Sequence, residues 1–476
     1  MLFNSAGFFL FMLAVWAVHW AVGGRSALRQ NLVLLAASAV FYGLVDMRGL
    51  VMLLVGALIN WAIALRIASL PEGRARSLWF WAGITLDLGL LVWFKYAGFL
   101  VEGLADLLAR VGLGTGTLEI LLPLGISFYT FQMLGYLMDV HHEEIEPCRD
   151  GSHFVTYVLF FPKMLAGPIE RAQHFLPQIA GPREPDPELM TDGLRQILWG
   201  LFAKAVIADN LAVFVDEVFD HHTAHGKGTL LLGTTGYLVQ LYGDFSGYSN
   251  IALGVSKLLG IRMMGNFAYP LFGTSVGDFW RRWHISLSSW MMDHVFTPLS
   301  FLLRDKGRAG LVISISVTFL AVGLWHGASW NYVVFGVLQS IYFIPMALRR
   351  RITQASAPDN ITLIPGWGHL WRMGLLFLLM SLTFALLRAT TLGQTAGILK
   401  GILTSSRVFI TEPLPVHLCF LVLALMGVEW MQRGRDHGLE VARLPAWARR
   451  SAYSVVVLAI FFFGRFAQEE YIYIQF

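Results

Sequence analysis

The chain has 476 residues, of which 56% are hydrophobic and only 14% charged, whereas soluble globular domains carry about 25% charged residues. It is therefore read as an integral membrane protein. The formal net charge of +4 leaves no nucleic-acid footprint, and two widely separated cysteines, Cys148 and Cys419, exclude a disulfide framework and carry no metal or redox spacing.

Apolar runs recur along the whole length: Phe8 to Val22, Val51 to Ala64, Leu311 to Leu324, Met373 to Leu387 and Val455 to Phe463. A helical span takes roughly 20 mostly apolar residues, which leads to an expectation of about ten to twelve spans. The first run is expected to be a retained anchor with the amino terminus outside, because no basic residue precedes Phe8 and no small-residue cleavage site follows before Arg25. Basic residues then cluster at Arg25 and Arg29, at Arg66, Arg74 and Arg76, and at Arg304 to Arg308, Arg349 to Arg351 and Arg433 to Arg450. By the positive-inside rule these loops are expected to be cytoplasmic. Lys95, in Trp93-Phe-Lys-Tyr96, is expected to snorkel from a span end.

Neither an internal repeat nor a polar linker divides the chain, so residues 1–476 read as one membrane domain. Within it, amino-terminal helices are expected over 1–110, a catalytic core over 120–345 and carboxyl-terminal helices over 370–476. Residues 120 to 300 mix apolar runs with Gly, Pro, Asp, Arg and His. Broken backbone at membrane depth survives only when buried in protein or lining a wet cavity, so the middle is where a site is expected.

Three pieces of that middle read as broken or re-entrant. Leu122-Pro-Leu-Gly-Ile-Ser-Phe-Tyr-Thr-Phe-Gln132 opens with Pro123, which suits a helix first turn, and carries Ser127 and Gln132. Phe160-Phe-Pro-Lys-Met-Leu-Ala-Gly-Pro-Ile-Glu-Arg171 holds two prolines too close for an undisturbed span. Gly243-Asp-Phe-Ser-Gly-Tyr-Ser249 ends an apolar run in a polar knot. The histidines of His141-His142-Glu143-Glu144 and of His221-His222 with His225 sit in polar loops without the helical spacing of a zinc site, and no metal is expected.

Two further histidines interrupt apolar sequence. In Phe279-Trp-Arg-Arg-Trp-His-Ile-Ser-Leu-Ser288, a helix at ~100° per residue would place Trp280, His284 and Leu287 on one face. Such a segment fits either an interfacial helix, with tryptophans in the aromatic belt and arginines on headgroups, or a wall of the protein interior. His326, in Val322-Gly-Leu-Trp-His-Gly-Ala328, closes the run from Leu311. There it must be hydrogen-bonded, packed inside the bundle or lining a cavity. Gly323 and Gly327 would admit backbone or substrate at close range. No Gly-x-Ser-x-Gly elbow, Walker loop or dinucleotide fingerprint occurs.

The Phe279–Ser288 segment, Gly323-Leu-Trp-His-Gly-Ala328, Pro123-Leu-Gly-Ile-Ser-Phe-Tyr-Thr-Phe131, Ala166-Gly-Pro-Ile169 and Asp244-Phe-Ser-Gly-Tyr248 together closely resemble the membrane-bound O-acyltransferase (MBOAT) family. The nearest branch is that of the membrane subunit of bacterial alginate O-acetyltransferase. The resemblance runs from Met1-Leu-Phe-Asn-Ser to Tyr471-Ile-Tyr-Ile-Gln-Phe476. It implies an all-α membrane acyltransferase of the bacterial inner membrane, with re-entrant or broken helices around a central tunnel. His326 matches the family's catalytic histidine and His284 its second active-site histidine. The donor implied is acetyl-CoA, entering from the cytoplasm, with no permanently bound cofactor. The acceptor implied is an exported polysaccharide, reached through a periplasmic or membrane-anchored acetyltransferase partner.

Within that frame, His326 is expected to take the proton of an acceptor hydroxyl, and His284 to position the thioester or stabilise the oxyanion. Arg281, Arg282, Trp283 and Trp325 are candidates for holding the cofactor, with Lys257 and Arg262 as further cations for its phosphates. Ser127, Gln132, Asp244, Ser246, Tyr248 and Asn250 are candidates for the tunnel lining. The chain departs from the branch pattern at Met292-Asp293-His294, at Gln339 and over Ser300 to Gly310, changes that bear on the acceptor polymer. Alternatives within the fold are D-alanyl transfer to teichoic acid and peptidoglycan O-acetylation. Outside it stands a small-solute transporter, against which no inverted repeat is visible.

Overall fold

The computed structural model describes residues 3, 5–24, 26–101, 103, 122–165, 167–349, 365–410, 412 and 415–466. Arg25, Ala166, Arg350, Arg351, the closing 471–476 motif and parts of the opening one lie outside the described residues. Among the described residues every regular element is helical. Eight of these helices are long and apolar enough to cross a membrane, fewer than the ten to twelve spans expected. Part of the difference is that some apolar runs form shorter helices, such as Val416–Met431 with 16 residues.

The chain packs as two compact units, one made of Met1–Gly193 with Val255–Met264, the other of Leu194–Gly254 with Gly265–Phe476. The first unit holds α1 (Ala6–Gly23), α2 (Ala27–Gly43), α3 (Met47–Ser69), α4 (Arg74–Leu91), α5 (Ile126–His141), α6 (Gly151–Leu159), α7 (Phe161–Met164) and α8 (Ala172–Ala180). Ser5, Ser26 and Asp46 cap α1, α2 and α3 with side-chain oxygens that accept from the first-turn amides. Helices α3, α4 and α5 pack on one another, and α6 lies against α2 and α3.

Polar side chains fasten the loops of this unit. Gln30 exchanges hydrogen bonds with the backbone of Arg183, at 2.8 Å in each direction, and Asn31 donates to the Ile179 carbonyl while accepting from the Arg183 guanidinium, both at 2.9 Å. The double-proline segment is broken as expected: α6 ends at Leu159, Phe160 leaves the helical conformation (ψ 106°), and α7 is a single turn. Pro123, by contrast, precedes its helix, because Gly125 stands in left-handed backbone (φ 71°) and α5 starts only after it. Lys95 does not snorkel from a span end. It sits in a π-turn inside a candidate span that continues to Val101, and its ammonium donates to Ser127 Oγ at 3.2 Å.

Helix α9 (Pro187–Leu201) runs into a π-segment, Phe202–Ala208, and then α10 (Asp209–Asp220). Helix α11 is one continuous helix, Lys227–Leu258, through the Gly243–Ser249 sequence expected to end it. The glycines there serve packing instead of termination. A Cβ on Gly247 would stand 2.8 Å from the Gly200 carbonyl oxygen, and one on Gly200 would stand 2.5 Å from that of Gly247, so the two helix backbones meet directly.

The second unit continues with α12 (Val276–Arg282), α13 (Ile285–Met291), α14 (Thr297–Leu302), α15 (Gly307–His326), α16 (Trp330–Leu348), α17 (Trp367–Arg388), α18 (Leu392–Thr404), α19 (Val416–Met431) and α20 (Ala446–Phe463). Helices α15 and α16 pack along each other. Gly323 and Gly336 make that pair possible, since added Cβ atoms would fall 2.2 Å from the Tyr332 carbonyl and 2.5 Å from that of Phe319. The close approach allowed by Gly323 is thus taken up by backbone.

Candidate active site

Helix α15 carries its apolar run to His326 and stops, because Gly327 is extended and Ser329 precedes the first residue of α16. The tight connection sets His326 at the base of a helical hairpin, 2% exposed. Its ring meets Trp325 edge-on with centroids 5.1 Å apart, and Phe335 of α16 at 5.7 Å. Gly327 is crowded by the Tyr332 ring, which an added Cβ would approach to 2.2 Å. Sequence and local fold therefore bury His326 among aromatic side chains of the second unit.

His284 reaches the same unit by a different route. The Phe279–Ser288 segment is not the single helix expected, so Trp280, His284 and Leu287 do not share a helix face. Helix α12 ends at Arg282, Trp283 is extended, His284 adopts left-handed backbone (φ 43°, ψ 55°), and α13 starts at Ile285. A bulky non-glycine residue in that region costs of order 1–3 kcal/mol and persists only where its surroundings compensate. The compensation comes from Asn266 and its neighbours. Ile285 N–H donates to the Asn266 carbonyl at 2.9 Å, and Ala268 N–H to the Arg282 carbonyl at 3.0 Å.

The side chain of Asn266 completes the arrangement. Its Oδ1 faces His284 Nδ1 at 3.1 Å, Ser286 Oγ at 2.9 Å and the Ser286 backbone N–H at 3.4 Å. Its Nδ2 donates to Ser249 Oγ of α11 at 3.2 Å. All four of these side chains are buried, His284 completely. Above them, Phe245 packs edge-on against the His284 ring at 4.7 Å, and Trp325 does so from α15 at 5.2 Å. One tryptophan ring thus touches both imidazoles.

Of the residues expected to hold a cofactor, Trp283 is fully buried, stacked on Phe279 at 5.4 Å. Arg281 and Arg282 already share a carboxylate: Asp278 Oδ1 accepts from Arg282 Nε at 2.9 Å and lies 3.5 Å from Arg281. Arg281 keeps the more exposed side chain. It also borders a cavity of about 420 Å³ that adjoins the His284 turn through Trp280, Ile285 and Ser288, with Met291 and Phe319 among its other walls. Gln339, where the branch pattern favours a histidine, is buried and accepts from the Trp280 indole at 3.1 Å.

The residues expected to line a tunnel divide between the two units. In the first, Ser127 is engaged by Lys95, and Gln132 accepts from the fully buried Lys163 at 2.9 Å; that ammonium lies over the Tyr157 and Phe175 rings. In the second, Asp244, Ser246, Tyr248 and Asn250 all belong to α11. Asp244 is committed to a buried ion pair with Lys204, 2.5 Å away, which also meets Asp209 at 2.7 Å. Asn250 donates to the Ser246 carbonyl and accepts from Gln196 at 3.0 Å. Lys257, a candidate phosphate cation, pairs with Asp192 at 2.6 Å in the first unit.

Sequence reasoning missed Asn266, Lys204, Asp209 and Lys163. The available signal was a lone polar side chain inside otherwise apolar sequence, the same one that singled out Ser127, Gln132 and Asp244.

Comparison with known proteins identifies the family. The profile of the membrane-bound O-acyltransferase family matches residues 152–387, which include both histidine segments. "Probable alginate O-acetylase AlgI" of Pseudomonas aeruginosa is 34% identical over 75% of this chain and 68% of its own length. "Peptidoglycan O-acetyltransferase" of Helicobacter pylori is 29% identical over 84% of this chain and 79% of its own. "Teichoic acid D-alanyltransferase" of Bacillus subtilis is 31% identical over 46% and 57%.

Proposed function

Because the chain belongs to the membrane-bound O-acyltransferase family, we propose that it moves acetyl groups from cytoplasmic acetyl-CoA toward the hydroxyls of an exported polysaccharide such as alginate. That it is a multi-pass membrane acyltransferase follows from the family itself and from the eight candidate spans among the described residues. The observation that carries the finer reading is the pair of buried imidazoles, His284 and His326, each packed edge-on against the Trp325 ring within the family-matched segment.

In the proposed reaction His326 takes the proton of the acceptor hydroxyl, whose oxygen forms the new ester bond to the acetyl carbon. The thioester C–S bond breaks, and the proton passes from the imidazole to the departing thiolate, so charge and protons balance. His284 is the second imidazole of the site. Arg281, more exposed than Arg282 and bordering the cavity that adjoins the His284 turn, is the cation assigned to a CoA phosphate. The acceptor is reached through a periplasmic or membrane-anchored acetyltransferase partner, and the protein resides in the bacterial inner membrane with its amino terminus outside.

The test is a labelled-product assay in proteoliposomes given radiolabelled acetyl-CoA, partner and polysaccharide. The expected result is labelled polysaccharide, with His326→Gln lowering the rate by about 10²–10⁴-fold at equal folded protein. Near-normal transfer in His326→Gln would overturn the assignment. Label appearing instead in peptidoglycan, or transfer of D-alanine from a carrier and no transfer from acetyl-CoA, would replace the substrate reading while keeping the enzyme class.

A further inference from the structure

We infer that Asn266 is a positioning residue that holds neutral His284 in its Nδ1–H tautomer, so that Nε2 presents a lone pair at the site. The reading rests on the acyl-transfer function proposed above and sharpens what its second imidazole does.

The argument starts from a donor that has no choice. An asparagine side chain offers oxygen on one side and NH₂ on the other, and which is which must be decided from its partners. Hydroxyls do not decide it, since Ser249 and Ser286 can donate or accept. The Ser286 backbone N–H can only donate, and it points at the Asn266 atom 3.4 Å away. That atom is therefore the oxygen, and the NH₂ faces Ser249 Oγ at 3.2 Å. His284 Nδ1, 3.1 Å from the same oxygen, then has to supply a hydrogen. A neutral imidazole carries one N–H, so its other nitrogen is the acceptor.

The backbone holds the same two residues together. Asn266 also accepts the Ile285 amide through its own carbonyl, so it fixes the left-handed turn and the ring of His284 together. The ring is gripped edge-on by Phe245 and Trp325, at 4.7 and 5.2 Å, which restrains a flip that would exchange the two nitrogens.

The consequence concerns division of labour. A ring with its hydrogen on Nδ1 cannot donate from Nε2 to an oxyanion. His284 therefore acts at the site as a hydrogen-bond or proton acceptor, and the oxyanion role expected from sequence does not fit it. Asn266 does this through His284 and touches no substrate itself.

The experiment is solid-state NMR of the full chain in lipid bilayers, labelled with ¹³C,¹⁵N-histidine, with the His284 signal assigned by its loss in His284→Gln. The expected spectrum of the wild type without substrate is the Nδ1–H form. Asn266→Ala should shift His284 toward the Nε2–H form and lower kcat at least tenfold with little change in KM. Asn266→Asp keeps an acceptor at Nδ1 and should retain the Nδ1–H signature and a larger share of kcat. A wild-type Nε2–H ring overturns the inference even if neither variant folds. An Nδ1–H ring unchanged in folded Asn266→Ala removes Asn266 from the role. Because the tautomer is read without substrate, persistence of acetyl transfer in His326→Gln would sink the functional reading separately.

Discussion

His19 in the first unit and His284 in the second are both sealed from solvent, each 0% exposed. His19 lies on one regular turn of α1 beside Trp20, whose indole donates to the Leu258 carbonyl at 3.0 Å. His284 sits between two short helices in a backbone conformation that a non-glycine residue rarely adopts, with an asparagine aimed at its ring. Burial is equal and conformational commitment is not. A strained backbone has to be compensated by its surroundings, which is why it marks a site better than burial does.

That comparison breaks if the two histidines behave alike. The largest effect expected is on transfer: His284→Gln should lower kcat by about 10²-fold or more, the scale of a lost acid–base or positioning group. His19→Gln should transfer like wild type per folded molecule. Measuring both in the same proteoliposomes, normalised to folded protein, checks the contrast. Equal losses would show that burial alone had been informative.

The next effect sharpens the comparison between the units themselves. The second unit buries Lys204 against two carboxylates, and the first uses Asn31 and Gln30 to fasten Arg183. Removing one partner of a buried ion pair leaves an uncompensated charge, so Lys204→Met should cost about 3–5 kcal/mol. Asn31→Leu strips the Ile179 carbonyl and the Arg183 guanidinium of one partner and should cost about 1–3 kcal/mol. Thermal unfolding in nanodiscs reads both, and the order should be Lys204→Met below Asn31→Leu. Turnover of the surviving Asn31→Leu molecules should be unchanged.

Much of this is legible in the sequence. An apolar run ending in Trp325-His326-Gly327 has few ways to be accommodated, and the all-helical membrane fold follows from composition and run length. Legibility failed where two signals coincide. Phe279–Ser288 has apolar spacing suited to a helix, and nothing local announces the break at His284, because the partner that stabilises it, Asn266, lies 18 residues earlier. Gly243 and Gly247 read as helix breakers, although in α11 they are contact points between helix backbones. Lys204 finds Asp244 only once the chain has folded, so no spacing rule would have paired them.

The smallest effect expected belongs to the first unit and concerns pH. His174, on α8 outside the candidate spans, pairs with Glu170, whose other oxygen accepts from Met264 N–H at 2.9 Å. The hydrogen bond to that carboxylate holds the imidazole above its ordinary value of 6.5, against the opposing effect of burial. A pKa raised on folding stabilises the folded state while the group is protonated. The contribution is therefore fully present below about pH 6.5 and is lost as pH rises through the higher folded value. The His174 side chain is 41% exposed, so solvent screening keeps it to about 1 kcal/mol or less. His174→Gln should then lower the melting temperature slightly at pH 6 and leave it unchanged at pH 9, with transfer untouched at both. Parallel pH profiles for the two proteins would mean that Glu170 orders the Met264 loop without help from the imidazole charge.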